Sequence, residues 1–186
     1  MSEARESQDL EREARTWSRE DLLRFWGRIK RRENIDGWPP GRAFEYLIIR
    51  AFDLEHAPVR WPYQVTYPQR FGIVEQIDGV VYLGDRAFLV ESKDVTEPMA
   101  VEAVARLRFR LEARPPGVLG VLFSVGGFTF PAEVFAQFAS PLNVLLWSSD
   151  DLDYALANGS MLAGLRKKLE HATEEGMPLL RLSGVR

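Results

Sequence analysis

Cysteine is absent from this 186-residue chain, and histidine occurs only twice, at His56 and His171. Without cysteine there can be no disulfide framework, zinc ribbon, iron–sulfur cluster or thiol nucleophile. Two isolated histidines make a histidine metal cluster or a histidine-dependent nuclease motif hard to assemble. The sequence therefore favours chemistry based on carboxylates and lysine, in a cytoplasmic setting.

Long apolar runs and an excess of positive charge are also missing. Residues 1–15 are charged throughout and lack the apolar core of a signal peptide, and the later apolar stretches are too short to cross a bilayer. We therefore expect a soluble, cytoplasmic protein with no membrane partner. The formal net charge is −3, so a polyanionic partner would have to meet a local basic patch.

The composition is that of a folded globule, with 46% hydrophobic and 27% charged residues. Ser18 and Asp21 form a capping-box pattern that predicts a helix over residues 18–32. The preceding residues, 1–17, are expected to be a frayed or partner-dependent extension. Turn-forming residues then precede a second helix over residues 42–53.

Strands are predicted next, over residues 63–67, 73–83 and 86–93. The last two flank Gly84 and Asp85, and a two-residue loop with glycine first is typical of a type II′ hairpin. Thr96 is expected to cap a helix that reaches about residue 114. A central strand follows at 118–125. The remaining elements are a helix at 131–139, a strand at 142–147, a helix begun by Ser149 or Asp150 and stopped at Gly159, and a last helix at 160–175.

This order predicts an α/β fold with a mixed central sheet flanked by helices. We divide the chain into a helical N-terminal extension (1–34), a core (35–150), and a C-terminal helical segment with its tail (151–186).

Ionisable residues converge on the predicted hairpin. Counting back from the turn places Asp78 opposite Glu91 and Gln76 opposite Lys93. Two carboxylates about 5 Å apart repel by roughly 3 kcal/mol at an effective dielectric near 20. A hard divalent cation such as Mg²⁺ would offset that cost, and Lys93 would offset part of it. Without metal, one acid should have a raised pKa.

A further acid, Glu45, lies on the mostly apolar stripe of the second helix, where burial requires a cation or hydrogen-bond donors. Each of these charges also has a plainer interpretation, as a solvated surface with weak ion pairs or as a side chain that reaches water at the helix edge. The conjunction of Glu45, Asp78, Glu91 and Lys93 is what favours a functional site.

Three short segments together resemble the active-site series of the PD-(D/E)XK nuclease superfamily, nearest to the Mrr-like restriction endonucleases. They are GRAFE at 41–45, IDG at 77–79 and VESK at 90–93. The resemblance covers about residues 41–135 and implies a restriction-endonuclease-like αβββαβ core, which matches the element order above. Ile77 stands where the family's name-giving proline would be.

By position, the resemblance implies that Asp78 and Glu91 bind Mg²⁺ or Mn²⁺, with the carbonyl of Ser92 as a further ligand. Lys93 would orient the attacking water, and Glu45 would complete the metal site or hold Lys93. The following helix often adds a polar residue, which the sequence leaves open among three arginines. These are also the nucleic-acid-binding candidates: Arg106, Arg108 and Arg110.

The leading hypothesis is therefore an Mg²⁺-dependent endonuclease of restriction or antiviral-defence type that hydrolyses DNA. Further basic runs at 30–32 and 166–168 offer phosphate contacts, although such runs are more often solvated helix faces. The alternative is a catalytically silent subunit that keeps the nuclease fold as an interaction scaffold in a larger complex. A homodimer, or a partner protein bound through the N-terminal extension, is compatible with either.

Overall fold

A computed structural model of the chain describes residues 3–67 and 72–184. The helices in these ranges are α1 Glu3–Ala14, α2 Arg19–Lys30, α3 Arg42–Leu54, α4 Val101–Glu112, α5 Phe130–Phe138, α6 Ser149–Asn158 and α7 Met161–Glu175. The strands are β1 Val59–Arg60, β2 Tyr63–Tyr67, β3 Gly72–Ile77, β4 Gly79–Leu83, β5 Arg86–Lys93, β6 Leu119–Ser124 and β7 Val144–Trp147.

The predicted α/β class is confirmed. Five strands form one mixed sheet in the order β1-β4-β5-β6-β7, and helices flank it. The β1–β4 and β4–β5 pairs are antiparallel, whereas the β5–β6 and β6–β7 pairs are parallel. The predicted αβββαβ order is found when only the strands of the central sheet are counted: α3, β1, β4, β5, α4 and β6. Strands β2 and β3 lie between β1 and β4 in the chain but form a separate sheet. Strand β1 itself is too short to be seen in the sequence.

Each face of the sheet is covered by its own apolar cluster. Alternate residues of β5 point to opposite faces, as the period of two predicts. Phe88 and Val90 pack in the cluster that contains α3, and Leu89 packs in the cluster that contains Leu107 of α4. Four of the tryptophans lie buried in the first cluster and serve as core side chains rather than as exposed stacking platforms, namely Trp26, Trp38, Trp61 and Trp147.

The β4–β5 hairpin has the predicted register, with Leu83 opposite Arg86 and the ladder running to Gly79 opposite Val90. Gly84 adopts a φ of 58°, and Asp85 is not among the positive-φ residues. A positive φ at the first loop position alone is what a type II′ turn requires.

The predicted strand over 73–83 is wrong as a single element. It breaks at Asp78 into β3, which pairs with β2 in a separate two-stranded sheet, and β4, which belongs to the central sheet. Gln76 therefore pairs with Gln64 rather than lying opposite Lys93. The break follows from a close approach at Gly79, where a Cβ would come within 2.3 Å of Ile49 Cδ1 on α3.

The helix after β5 starts later than predicted. Its N-cap is Ala100, and Thr96 lies outside it. The preceding segment is held in extended form, because the Met99 amide donates to the Gly127 carbonyl at 2.9 Å and the Met99 carbonyl accepts from the Thr129 amide at 3.0 Å. These two bonds tie the segment to the loop before α5 and delay the start of the helix.

The N-terminal segment is more ordered than the sequence suggests. The capping box of Ser18 and Asp21 is present at the start of α2, and α1 precedes it. Ala14 and Trp17 are buried, and Trp17 packs against Phe25 and Trp38 with ring centroids 4.7 Å apart in both pairs. The expectation of fraying across 1–17 is therefore wrong for these residues, because their apolar side chains join the core. No helix in the described ranges is both long and apolar enough to cross a membrane.

Candidate active site

The break between the two sheets assembles the predicted site residues. Asp78 lies in the link between β3 and β4, next to the end of β5 that carries Glu91, Ser92 and Lys93. Glu45 is in the first turn of α3. Asp78 is not paired in the β4–β5 ladder, whose last pair is Gly79 with Val90. The acids are nevertheless close enough for the charges of Glu45 and Glu91 to act on Asp78.

Asp78 is only 5% exposed. Its Oδ2 atom accepts hydrogen bonds from the Ser92 amide at 2.7 Å and the Ser92 hydroxyl at 3.0 Å. Its Oδ1 atom accepts none from any described residue. Burial, followed by the negative charges of Glu45 and Glu91, raises the pKa of Asp78 to about 7. The raised pKa that the sequence predicts for one acid without metal thus falls on Asp78.

Glu91 is buried too, but it is closely compensated. The Lys93 ammonium lies 2.5 Å from its Oε1 atom, and the Arg110 guanidinium contacts its Oε2 atom. Lys93 keeps 36% of its side chain exposed. The Lys93 side chain is therefore paired with a carboxylate and still partly accessible to solvent.

Glu45 is held by its own helix. Its Oε2 atom accepts a hydrogen bond from Arg42 Nη1 at 2.7 Å. Burial raises the pKa of Glu45, and the charges of Arg42 and Lys93 oppose that shift. Gln76, with its amide oxygen oriented towards Arg42, accepts from Nη2 at 2.8 Å. Arg42 thus joins α3 to β3 beside the acids.

The donor set partly fits a divalent cation. Asp78 and Glu91 are hard oxygen donors of the kind that Mg²⁺ prefers, and Asp78 Oδ1 is available. Both oxygens of Glu91 are engaged by cations. Within residues 3–67 and 72–184, no three acidic or histidine side chains are arranged to hold a metal ion. The predicted set of Glu45, Asp78 and Glu91 is therefore not arranged as a three-ligand site.

The three candidate arginines of α4 lie in different surroundings. Arg110 reaches the site through Glu91. Arg108 donates to the carbonyls of Ser140 and Pro141 and to the side chain of Asn143, at 2.7 to 3.0 Å. Arg106 is exposed and has no ion pair to a described residue. Of the three, Arg110 is the arginine that contacts an acid of the cluster.

One further acid at the site, Glu75, was not predicted from the sequence. Glu75 on β3 lies 3.3 Å from Arg110 Nε and 2.6 Å from Arg114 Nη2. Arg110 therefore bridges Glu75 and Glu91. Arg110 lies in the last turn of α4 and Arg114 lies just beyond the end of this helix, so the available signal was the run of arginines towards its end. Lys168, assigned to an exposed basic run, is instead buried in an ion pair with Asp151.

Comparisons with known proteins give only distant likenesses. No protein-family model matches the chain, and no curated protein does. Among solved structures, one similar chain is a protein of unknown function, AF1548, with 10% identity and a TM-score of 0.47, covering 73% of this chain and 78% of that one.

Two restriction endonucleases are also similar. The MspJI restriction endonuclease in complex with a 27-mer oligonucleotide is 21% identical with a TM-score of 0.42, over 83% of this chain and 32% of that one. The DNA modification-dependent restriction endonuclease AspBHI is 17% identical with a TM-score of 0.46, over 87% of this chain and 42% of that one. This chain therefore spans less than half the length of either enzyme.

Proposed function

We propose that the chain is a metal-dependent endonuclease of PD-(D/E)XK type, which hydrolyses DNA phosphodiester bonds with an activated water in a restriction or defence role. The observation that carries the proposal is the cluster of Asp78, Glu91 and Lys93, with Glu45 beside it. In this cluster a buried carboxylate keeps one oxygen without a hydrogen bond from any described residue, next to a half-exposed ammonium.

Such a cluster is costly to the fold. Asp78 is buried, meets two like charges and, among the described residues, has Ser92 alone as a direct hydrogen-bond partner. A buried carboxylate normally receives enough donors or a counter-charge to offset its desolvation. A function that requires the free oxygen explains the deficit, because perturbed acids concentrate at functional sites.

A divalent cation held by Asp78 and Glu91 would shield the phosphate charge and lower the pKa of a bound water. Lys93 contributes from the protein side. Its exposed ammonium donates to a phosphate oxygen and orients the water for in-line attack. The water oxygen bonds to phosphorus and releases a proton to solvent, one ester P–O bond breaks, and the departing sugar oxygen takes up a proton from solvent.

Arg110 and Glu45 act as positioning residues. Arg110 holds the Glu91 carboxylate from the α4 side, and Glu75 in turn holds Arg110. The ion pair with Arg42, within the first turn of α3, orients the Glu45 carboxylate beside the site. The carbonyl of Ser92 remains a proposed ligand beside these side chains, while the Ser92 amide and hydroxyl orient Asp78.

The test is cleavage of plasmid and linear DNA by the purified chain in Mg²⁺ or Mn²⁺. We expect the wild type to cut, and Asp78→Asn, Glu91→Gln and Lys93→Met each to lose at least about 100-fold in rate, because the first two remove a ligand charge from the cation and the third removes the donor to the phosphate. Asp85→Asn, in the exposed turn of the same hairpin, is the matched control and should cut like the wild type.

A wild type that does not cut would contradict the nuclease proposal, as would variants that cut as fast as the wild type. The scaffold alternative predicts the first of these results, together with no calorimetric signal for Mn²⁺ binding.

A further inference from the structure

A cavity of about 620 Å³ opens beside the cluster, between α1, the start of α3 and the β2–β3 sheet. Its size lies within the range of about 300–1,000 Å³ that is usual for small-molecule sites. None of the proposed catalytic side chains Asp78, Glu91 and Lys93 lines it, so it is a separate site next to the reaction centre.

Two residues connect the cavity with the cluster. Arg42 lines the cavity and is hydrogen-bonded to Glu45 at 2.7 Å. Gln76 also lines it and precedes Asp78 by two residues on the same chain segment. A ligand group in the cavity would therefore lie directly beside a phosphate bound at the cluster.

The polar groups of the wall suit a neutral ligand. They are mainly side-chain amides and hydroxyls, including Gln64 of β2 and Thr66 on the same strand. Gln64 hydrogen-bonds to no described residue through its side chain. Amides offer one donor and one acceptor edge, which is how glutamine reads the edge of a base.

The charged and apolar side chains of the cavity wall also favour a neutral, flat ligand. The lining residues include one cationic side chain, Arg42, which is paired with Glu45, and one anionic side chain, Glu11, which is paired with Arg15. A phosphate needs uncommitted cations, which this wall does not supply. Pro39, Pro62 and Leu10 add apolar surfaces against which a flat ring can pack.

We propose that the cavity binds a nucleobase of the substrate strand, unstacked from its neighbours, next to the phosphate that is cleaved. This inference rests on the proposed nuclease function for its phosphate. The cavity has room for a single nucleotide rather than a duplex, so the base must leave the stack to enter.

The experiment is calorimetric titration of the full chain in EDTA with dAMP, dGMP, dCMP and TMP. Deoxyribose 5-phosphate serves as the probe that lacks a base. We expect at least one nucleotide to bind, with the sugar phosphate at least about tenfold weaker, since the base provides the contacts. Gln64→Leu and Thr66→Val should each weaken nucleotide binding, by about tenfold for the amide. Gln137→Leu on α5, away from the cavity, should leave it unchanged.

Thermal unfolding confirms that each variant is folded, and Thr66→Val keeps the side-chain shape if Gln64→Leu does not fold. Three results would overturn the inference: no nucleotide binds, the sugar phosphate binds as tightly as the nucleotides, or both cavity variants bind like the wild type. Because no metal or cleavage is involved, nucleotide binding without DNA cutting overturns only the nuclease proposal. Cutting without nucleotide binding overturns only the base site.

Discussion

Two sites that each combine a buried aspartate with a nearby lysine, Asp151 with Lys168 and Asp78 with Lys93, differ in how completely their charges are matched. Asp151 and Lys168 are both fully buried, with Lys168 Nζ 2.9 Å from Asp151 Oδ2. Asp151 also accepts from the amide and hydroxyl of Ser148 and from the Leu182 amide. Lys168 donates in addition to the Leu180 carbonyl. This pair joins α6, α7 and the C-terminal turn.

The cluster at Asp78 is the opposite case. Within the described part of the chain, Asp78 receives hydrogen bonds from Ser92 alone and lies near two further acids, while Lys93 is paired with Glu91 and is partly exposed. A pair whose every group is satisfied serves the fold. A cluster with an unmatched acid and an open ammonium leaves binding capacity for something else. The degree of matching, rather than burial alone, separates structural from functional charges here.

The same substitution at the two lysines gives the sharpest test. Lys168→Met leaves Asp151 buried without a counter-charge, and we expect a loss of about 3–5 kcal/mol in the free energy of unfolding. Lys93→Met leaves Glu91 paired with Arg110, so we expect a loss below about 1 kcal/mol. Urea denaturation of both variants measures the difference. Equal losses at the two sites would show that the cluster is structural as well.

A second test uses pH. The pKa of Asp78 is raised in the folded state to about 7 from an ordinary value of 3.8. Between these values the folded chain binds more protons than the unfolded chain, so stability falls as pH rises from about 4 to 7 and stays lowered above 7. Asp78→Asn removes this penalty, and we expect it to gain about 4 kcal/mol over the wild type at pH 8 relative to pH 4.

The measurement is the melting temperature of both proteins in EDTA across this pH range, with Asp85→Asn as the control. If the difference in melting temperature between the wild type and Asp78→Asn does not change with pH, the Asp78 carboxylate does not destabilise the fold as proposed.

Metal binding should distinguish the two regions further. If Mn²⁺ binds at Asp78, a concentration ten times its Kd stabilises the folded chain by about 1.4 kcal/mol. The expected rise in melting temperature should disappear in Asp78→Asn, because the available oxygen is lost. It should persist in Asp85→Asn. A rise of equal size in the wild type and in Asp78→Asn would place the metal elsewhere.

The sequence was sufficient where local rules determine the structure. The turn at Gly84 sets the register of β4 and β5, and the period of two puts Glu91 and Lys93 on one face. The break at Asp78 could not be read from the same pattern. It depends on the packing of Gly79 against Ile49 of α3, a contact between segments that are far apart in the chain.

Charge partners were predicted less well than strands and helices. The basic run at 166–168 looks like a solvated helix face, but Lys168 turns inward because Asp151 and the Leu180 carbonyl meet it there. The three arginines of α4 were equivalent in the sequence. Their separation into Arg110 at the site and Arg108 at the loop after α5 depends on tertiary contacts that helical spacing alone does not specify.

Two arginines of α4 show the same contrast: Arg108 is hydrogen-bonded within the protein and Arg106 is exposed. Substitution of Arg106 gives the smallest expected change in stability. Arg106 is exposed, so Arg106→Gln should change the free energy of unfolding by no more than about 0.5 kcal/mol. If Arg106 contacts a DNA phosphate, the variant should reduce the slope of log affinity against log salt concentration by about 1. Arg108→Gln should lower the melting temperature and leave that slope unchanged, because Arg108 is committed to protein carbonyls. Fluorescence anisotropy with labelled DNA at several salt concentrations measures the slopes, and an unchanged slope for Arg106→Gln would remove this residue from the DNA interface.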